Sequence, residues 1–172
     1  ESGNKVVLSG QGGDEALMGY LKYYFSYIKF SFKSGNFIKL FELLYGAITN
    51  KTILNQFSFK HAFRYMNRSK RIPRFLVPYE GNYWLPNYSS LKQIQYNDLK
   101  FSSIPPLTRF EDRNSMNYAL ETRHPFMDHR LIEFALSLDS KELLAKGWNK
   151  LILRKSMLEL PKSIRFRKDK KG

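Results

Sequence analysis

A chain of 172 residues with 42% hydrophobic side chains is long enough for one domain with a core and too apolar for disorder. Its formal net charge of +14 fits either compositional drift with a mildly basic face for small anions, or a nucleic-acid or acidic partner. The absence of cysteine excludes a disulfide framework, a thiolate metal site and a cysteine nucleophile within this sequence.

The basic residues are scattered, apart from Lys168, Lys170 and Lys171 at the end. Drift is therefore the preferred reading, and nucleic acid is not expected as a partner. His61, His124 and His129 show no metal-like spacing. No apolar run approaches the roughly 20 residues that span a bilayer, so no membrane role is expected.

Lys5 to Leu8 is a short β-branched run that stops at Ser9-Gly10-Gln11-Gly12-Gly13-Asp14-Glu15. The glycines permit a tight turn, and Asp14 and Glu15 suit the first turn of a helix. Leu17, Met18, Leu21 and Tyr24 or Phe25 continue at helical spacing. The opening reads strand, glycine turn, helix. A lone edge strand cannot bury both faces, so the rest of its sheet is expected in residues that precede this chain.

Residues 36 to 66 read as helical. Phe37, Leu40, Phe41, Leu44 and Tyr45 share a face that Gly46 is expected to end, with a second helix over Leu54 to Met66. From Ser69 to Pro106 five prolines punctuate an aromatic stretch. It is read as irregular, with one short helix near Ser90 to Leu99. Its aromatics suit loop anchors more than an RNA-stacking surface.

Leu107 to Leu120 fits a helix, and Glu121 to Met127 a loop, because Pro125 lacks an amide proton. Asp128 caps a helix carrying Leu131, Ile132, Phe134, Ala135 and Leu138. After Gly147, Asn149 can cap a last helix from Lys150 to Leu160, ended by Pro161.

Three groups could carry chemistry. The Ser9–Asp14 turn at a strand end presents backbone amides and a carboxylate, suited to phosphate and Mg²⁺ or only to packing. It is not a Walker A loop, since no Gly-Lys-Ser or Gly-Lys-Thr follows. Lys150 and Arg154, four apart near a buried helix start, call for an anion, either a carboxylate of this chain or a ligand phosphate. Glu111-Asp112-Arg113-Asn114, with Glu121 and Arg123 beyond, suits structural salt bridges or substrate binding.

Five motifs in order then resemble the synthetase domain of glutamine-dependent asparagine synthetases. They are Val6 to Glu15 with Gly19-Tyr20, Glu111 to Met116, Leu120 to Ala135, the Gly147, Lys150, Leu153, Arg154 set, and Leu160 to Lys170. The resemblance is dense in 5–20 and 104–172 and thin between. It implies a mainly α-helical C-terminal portion, residues 1–172 with one N-terminal strand, of an α/β ATP-pyrophosphatase-type domain. The implied reaction adenylates the aspartate side chain with ATP and Mg²⁺, releases pyrophosphate and lets glutamine-derived ammonia displace AMP.

By motif, Ser9, Gly10 and Gly12 match the ATP-binding turn, with Arg154 added to it. Asp14 matches the Mg²⁺–pyrophosphate acid, and Lys150 the lysine that stabilises developing charge. Gln11 and Asp112 complete the expected catalytic set. Gln11 departs from the glutamate common at its position, and an amide cannot act as a base. A base is then expected from Glu15 or Asp112. Gln11 also admits relatives that amidate another carboxylate, as in surface-polysaccharide, β-lactam or peptide-cyclising systems. A basic RNA-binding module that has lost the chemistry is the rival of another class.

The family's pyrophosphate loop and its N-terminal glutaminase, the partner domain the resemblance implies, are not in this sequence. The chain reads as a fragment, inactive alone, of a cytoplasmic enzyme whose dimerisation is left open.

Overall fold

The computed structural model describes residue 3 and residues 5–52 and 88–168. These form a mainly helical assembly beside one two-stranded parallel sheet. The expected Leu54–Met66 helix, and the aromatic stretch up to residue 87, lie outside the described residues.

Strand β1, Val6–Leu8, pairs with β2, Glu121–Arg123, in the register Val6–Glu121, Val7–Thr122, Leu8–Arg123. The amide of Ser9 donates to the Arg123 carbonyl at 2.8 Å, and the amide of Glu121 to the Lys5 carbonyl at 2.8 Å. This corrects two expectations. The fold class gains a second strand, and a neighbour of β1 lies inside this chain. Pro125 had assigned Glu121–Arg123 to a loop. However, Pro125 begins a single 3₁₀ turn, Pro125–Met127, and its missing amide leaves the ladder two residues earlier intact. Val6, Val7 and Leu8 remain exposed, so this pair does not bury its own apolar faces.

Helix α1, Gly13–Ala16, is one turn long. Met18 takes a left-handed φ of 53° and breaks it from α2, Leu21–Lys33. Helix α3, Phe37–Asn50, is capped by Asn36, whose side chain accepts from the Lys39 amide. It runs straight through Gly46, which was expected to end it. Gly46 is there for close approach: a Cβ would collide with the backbone of Lys146 and Gly147.

Helix α4, Leu91–Asn97, is capped by Ser90 and leads into a π-helical turn, Asp98–Ser102. Helix α5, Ile104–Met116, starts three residues earlier than expected. Its prolines occupy first-turn positions, where a missing amide costs nothing. Helix α6, His129–Ser137, carries the expected Asp128 cap. It is followed by α7, Ser140–Leu143; α8, Leu151–Ser156; and α9, Lys162–Arg165. The expected Lys150–Leu160 helix is shortened to Leu151–Ser156, its cap position falls to Lys150, not Asn149, and α9 follows Pro161 as a separate turn.

Met18, Tyr23, Tyr24, Leu43, Leu143 and Leu144 are fully buried at the centre. Each buried aliphatic side chain of this size contributes about 1.5–3 kcal/mol. No helix among the described residues is long and apolar enough to cross a membrane.

Candidate functional site

The carboxyl ends of β1 and β2 open onto the glycine turn. This is the edge of a parallel sheet where strand-to-helix loops present backbone amides. Gly12 adopts φ 90°, a left-handed value that a side chain would strain. Gly12 and Gly13 also lie against Met127 and Phe126, leaving little room for a Cβ. The 3₁₀ turn after β2 therefore packs directly behind the glycines. Within the turn the Gln11 amide donates to Ser9 Oγ at 3.4 Å. Gly10 is exposed, with open space where a Cβ would be.

Helix α1 and the turn that follows it are anchored from three separate parts of the chain. Ser103 Oγ donates to Glu15 Oε1 at 2.5 Å, and Gln95 Nε2 to the Ala16 carbonyl at 2.6 Å. Asn149 Nδ2 donates to the Gly19 carbonyl at 2.6 Å. Glu15 is 1% exposed and also accepts from Tyr20 Oη at 2.9 Å. Burial first, then the Glu15 hydrogen bond and charge, push the Tyr20 phenol far above its ordinary value. Beneath it, Asp98 accepts from Tyr23 Oη at 2.6 Å and pairs with Lys22 at 2.6 Å. Glu15 is thus an internal acceptor that holds α1 in place.

With its back fixed, α1 turns Asp14 to a half-open surface. Lys150 Nζ meets Asp14 Oδ1 at 2.7 Å, with the two side chains 28% and 25% exposed. Gly19 sits where they touch: a Cβ there would overlap Asp14 Oδ1 and Lys150 Cε. Two non-glycine residues in left-handed backbone, Met18 at φ 53° and Lys150 at φ 51°, flank the contact. Each such residue carries a cost of roughly 1–2 kcal/mol, and strain of this kind gathers at functional sites.

Lys150 is delivered by a tight turn. Ala145 and Trp148 exchange backbone hydrogen bonds across Lys146 and Gly147, which both have positive φ. The end of α3 holds this turn. Asn50 Nδ2 donates to the Lys146 carbonyl at 2.6 Å, Thr52 Oγ1 donates to the Gly147 carbonyl, and Gly46 lies against both residues.

Of the expected site residues, Ser9, Gly10, Gln11, Gly12 and Asp14 share one turn, and Lys150 joins them from the far end of the chain. Arg154 makes its hydrogen bonds elsewhere. Its guanidinium donates to the Asn149 carbonyl at 2.9 Å and the Arg165 carbonyl at 2.5 Å, and lies 5.0 Å over the Trp148 ring. Asp112 is exposed on α5. Its neighbour Glu111 points inward instead, its Oε2 buried and 3.9 Å from the buried Nδ1 of His124. Neither atom has a hydrogen-bond partner. His124 directly follows Arg123, whose carbonyl receives the Ser9 amide, so this pair sits at the carboxyl end of β2.

Sequence reasoning named Glu111, Gly19 and Asn149 only as part of a charged cluster, a motif and a helix cap, and did not foresee the roles they take here. Two signals were available. Ile104, Leu107, Thr108, Glu111 and Ser115 recur at helical spacing and are the less exposed face of α5. Gly19 follows Asp14 by little more than one helical turn.

No group of three or more His, Cys, Asp or Glu that could hold a metal occurs among the described residues. Asp14 fits a divalent cation that draws most of its ligands from phosphate oxygens and water, as Mg²⁺ does. The charged pair Glu121–Arg123, at 2.7 Å and more than half exposed, is a surface contact worth little to stability.

A family model described as asparagine synthase matches residues 1–172. No curated protein and no solved structure matches the chain.

Proposed function

The chain belongs to the asparagine synthase family, a family of ATP-dependent amide-forming ligases, and we propose that it forms one wall of the ATP site of such an enzyme, with aspartate as the carboxylate substrate. The observation that carries this reading is the meeting of Asp14 and Lys150 at 2.7 Å beside the glycine turn. An acid suited to Mg²⁺ and a cation suited to phosphate share one half-open surface.

In the proposed reaction a carboxylate oxygen of the substrate attacks the α-phosphorus of ATP, and pyrophosphate leaves. Ammonia, supplied from glutamine by a separate glutaminase domain, then attacks the acyl carbon and AMP leaves. The Gly10 and Gly12 amides of the turn hold phosphate oxygens, since the Ser9 amide is already given to the Arg123 carbonyl and the Gln11 amide to Ser9 Oγ. Lys150 neutralises charge that grows on the phosphate bridge and on the oxygen of the tetrahedral intermediate. Asp14 would hold Mg²⁺, which supplies charge neutralisation on the pyrophosphate. Gln11, an amide, can orient substrate but cannot accept ammonia's proton. Of the carboxylates near the turn, Glu15 is engaged in the core and Asp112 faces solvent. Glu111, whose buried Oε2 has no hydrogen-bond partner, is the acceptor that remains.

The exposed apolar side chains of β1 are consistent with further layers packing on this sheet in the proposed ATP-pyrophosphatase-type domain. Gln11 favours a second reading, in which the carboxylate belongs to a surface-polysaccharide, β-lactam or peptide precursor.

The test is ATP–pyrophosphate exchange by the protein with its glutaminase domain, with and without aspartate. Aspartate-stimulated exchange that is lost in both Asp14→Asn and Lys150→Met supports the first reading. Exchange stimulated only by another carboxylate supports the second. Exchange that survives both substitutions would overturn both.

A further inference from the structure

Lys150 is a cation in left-handed backbone with no glycine to permit it, so something must impose that conformation. Its own peptide shows what does. The Asn149–Lys150 peptide carbonyl accepts from Arg154 Nε at 2.9 Å, and Asn149 Oδ1 accepts from an Arg154 terminal nitrogen at 3.3 Å. The Asn149 amide nitrogen reaches the other way, to the Gly19 carbonyl at 2.6 Å. Asn149 is 9% exposed.

The guanidinium is fixed in turn. Arg154 donates to the Arg165 carbonyl at 2.5 Å in the last turn of α9, and lies over Trp148, which itself meets Phe166 edge-on at 5.3 Å. Burial lowers the proton affinity of this guanidinium, but arginine stays charged in any protein setting. Its donors are spent on carbonyl oxygens in a forked geometry that a lysine cannot copy.

We propose that Asn149 and Arg154 form a clasp that fixes the backbone of Lys150 and aims its ammonium at Asp14, making both positioning residues of the site, with Arg154 serving it through the backbone and not as a phosphate ligand. The clasp also ties Arg165, in α9, to the position of Lys150. The catalytic consequence rests on the ligase reading above. The structural consequence does not.

The experiment therefore has two readouts on the full-length protein, each for Asn149→Ala, Arg154→Met and Arg154→Lys. The first is pulsed acetylation of lysines at fixed pH, quantified residue by residue by mass spectrometry. Lys22, paired with Asp98 at 2.6 Å, is the internal control for folding. The clasp predicts that Lys150 labelling rises about 5-fold, the scale of a lost partly exposed ion pair, while Lys22 labelling stays constant. Arg154→Lys should behave like Arg154→Met, because charge alone cannot rebuild the fork.

The second readout is ATP–pyrophosphate exchange, where the clasp predicts a fall in kcat with little change in KM for ATP. Unchanged Lys150 labelling in Arg154→Lys and Asn149→Ala, with Lys22 steady, overturns the clasp. So does a raised KM for ATP with unchanged labelling, which would make Arg154 a phosphate ligand. A rise at Lys150 and Lys22 together reports unfolding of that variant and overturns a local role for the residue changed. If Lys150 labelling rises but wild-type protein shows no exchange with any carboxylate, the clasp stands and the ligase reading falls.

Discussion

Asp14 leaves the first helical turn of the chain, Lys150 the cap position of a helix near its end, and their charged atoms lie 2.7 Å apart. The pair is half-open, so it adds little to stability. Its arrangement has a chemical consequence. An acid that is to hold a divalent cation is already occupied by an ammonium, and the two must compete until a phosphate oxygen draws Lys150 away. Replacing Lys150 with Met should therefore separate two properties. Exchange should fall about 10²–10³-fold, the usual cost of removing one donor to developing charge. Binding of Mn²⁺ as a spin probe should tighten, because Asp14 loses its internal cation. A titration followed by electron paramagnetic resonance checks this, and Mn²⁺ binding that weakens in Lys150→Met would contradict the competition.

Gly19 makes that pair possible. Its Cα faces Asp14 Oδ1 and Lys150 Cε with no room for a methyl group. Gly19→Ala should push the two charges apart and cost about 1–3 kcal/mol, the range for overpacking a filled site. The expected outcome is a lower midpoint in urea unfolding together with lost exchange. Full exchange activity in Gly19→Ala would show that the contact is not needed.

Glu111 and Asp112 are adjacent in sequence, yet α5 turns them to different surroundings. Glu111→Gln should reduce amide formation by at least 10²-fold and leave ATP–pyrophosphate exchange close to wild type, because its Oε2 accepts the proton from ammonia only after pyrophosphate has left. Asp112→Asn, on the exposed face, should stay within a factor of about 2, as surface changes do. Measuring amide product with ammonia in place of glutamine isolates this step from glutamine hydrolysis. Equal losses in both variants would remove Glu111 from its proposed role.

Much of this was written in local patterns. The β-branched run, the glycine turn and the Asp128 cap are short-range signals, and each produced the element it implied, whereas the helix expected to continue from Asp14 is broken at Met18. The errors came from residues whose role is set at a distance. Gly46 looks like a helix end because free backbone is its commonest use; here it serves an approach by Lys146 and Gly147, a hundred residues on. Glu121–Arg123 carries no strand-like alternation of its own and becomes a strand only because β1 lies beside it. At the site, the motifs singled out Asp14 and Lys150 separately. That they touch, and that Asn149 and Arg154 hold the second against the first, depends on packing that no local spacing encodes.

Tyr24 offers a test of the core that is independent of any catalytic reading. Its ring is 1% exposed and its hydroxyl donates to the Leu43 carbonyl at 2.5 Å. Burial, and then the charge of Glu42, push its phenol up to about 12. Tyr27 is pushed up to about 12 by burial and then by Asp139 and Glu42. Below pH 10 these phenols are neutral in both folded and unfolded chains, and their contribution to stability is complete. As pH rises past 10 the unfolded chain loses these protons and the folded chain keeps them, so stability declines until about pH 12. The thermal midpoint should therefore stay flat up to pH 10 and drop between 10 and 12. Tyr24→Phe should lower the midpoint at pH 8, since the lost hydrogen bond is worth about 0.5–1.5 kcal/mol. It should also make the alkaline decline shallower by removing one of the protons involved. A decline of equal steepness in the variant would mean that the Tyr24 hydroxyl is not held in the core as the Leu43 contact requires.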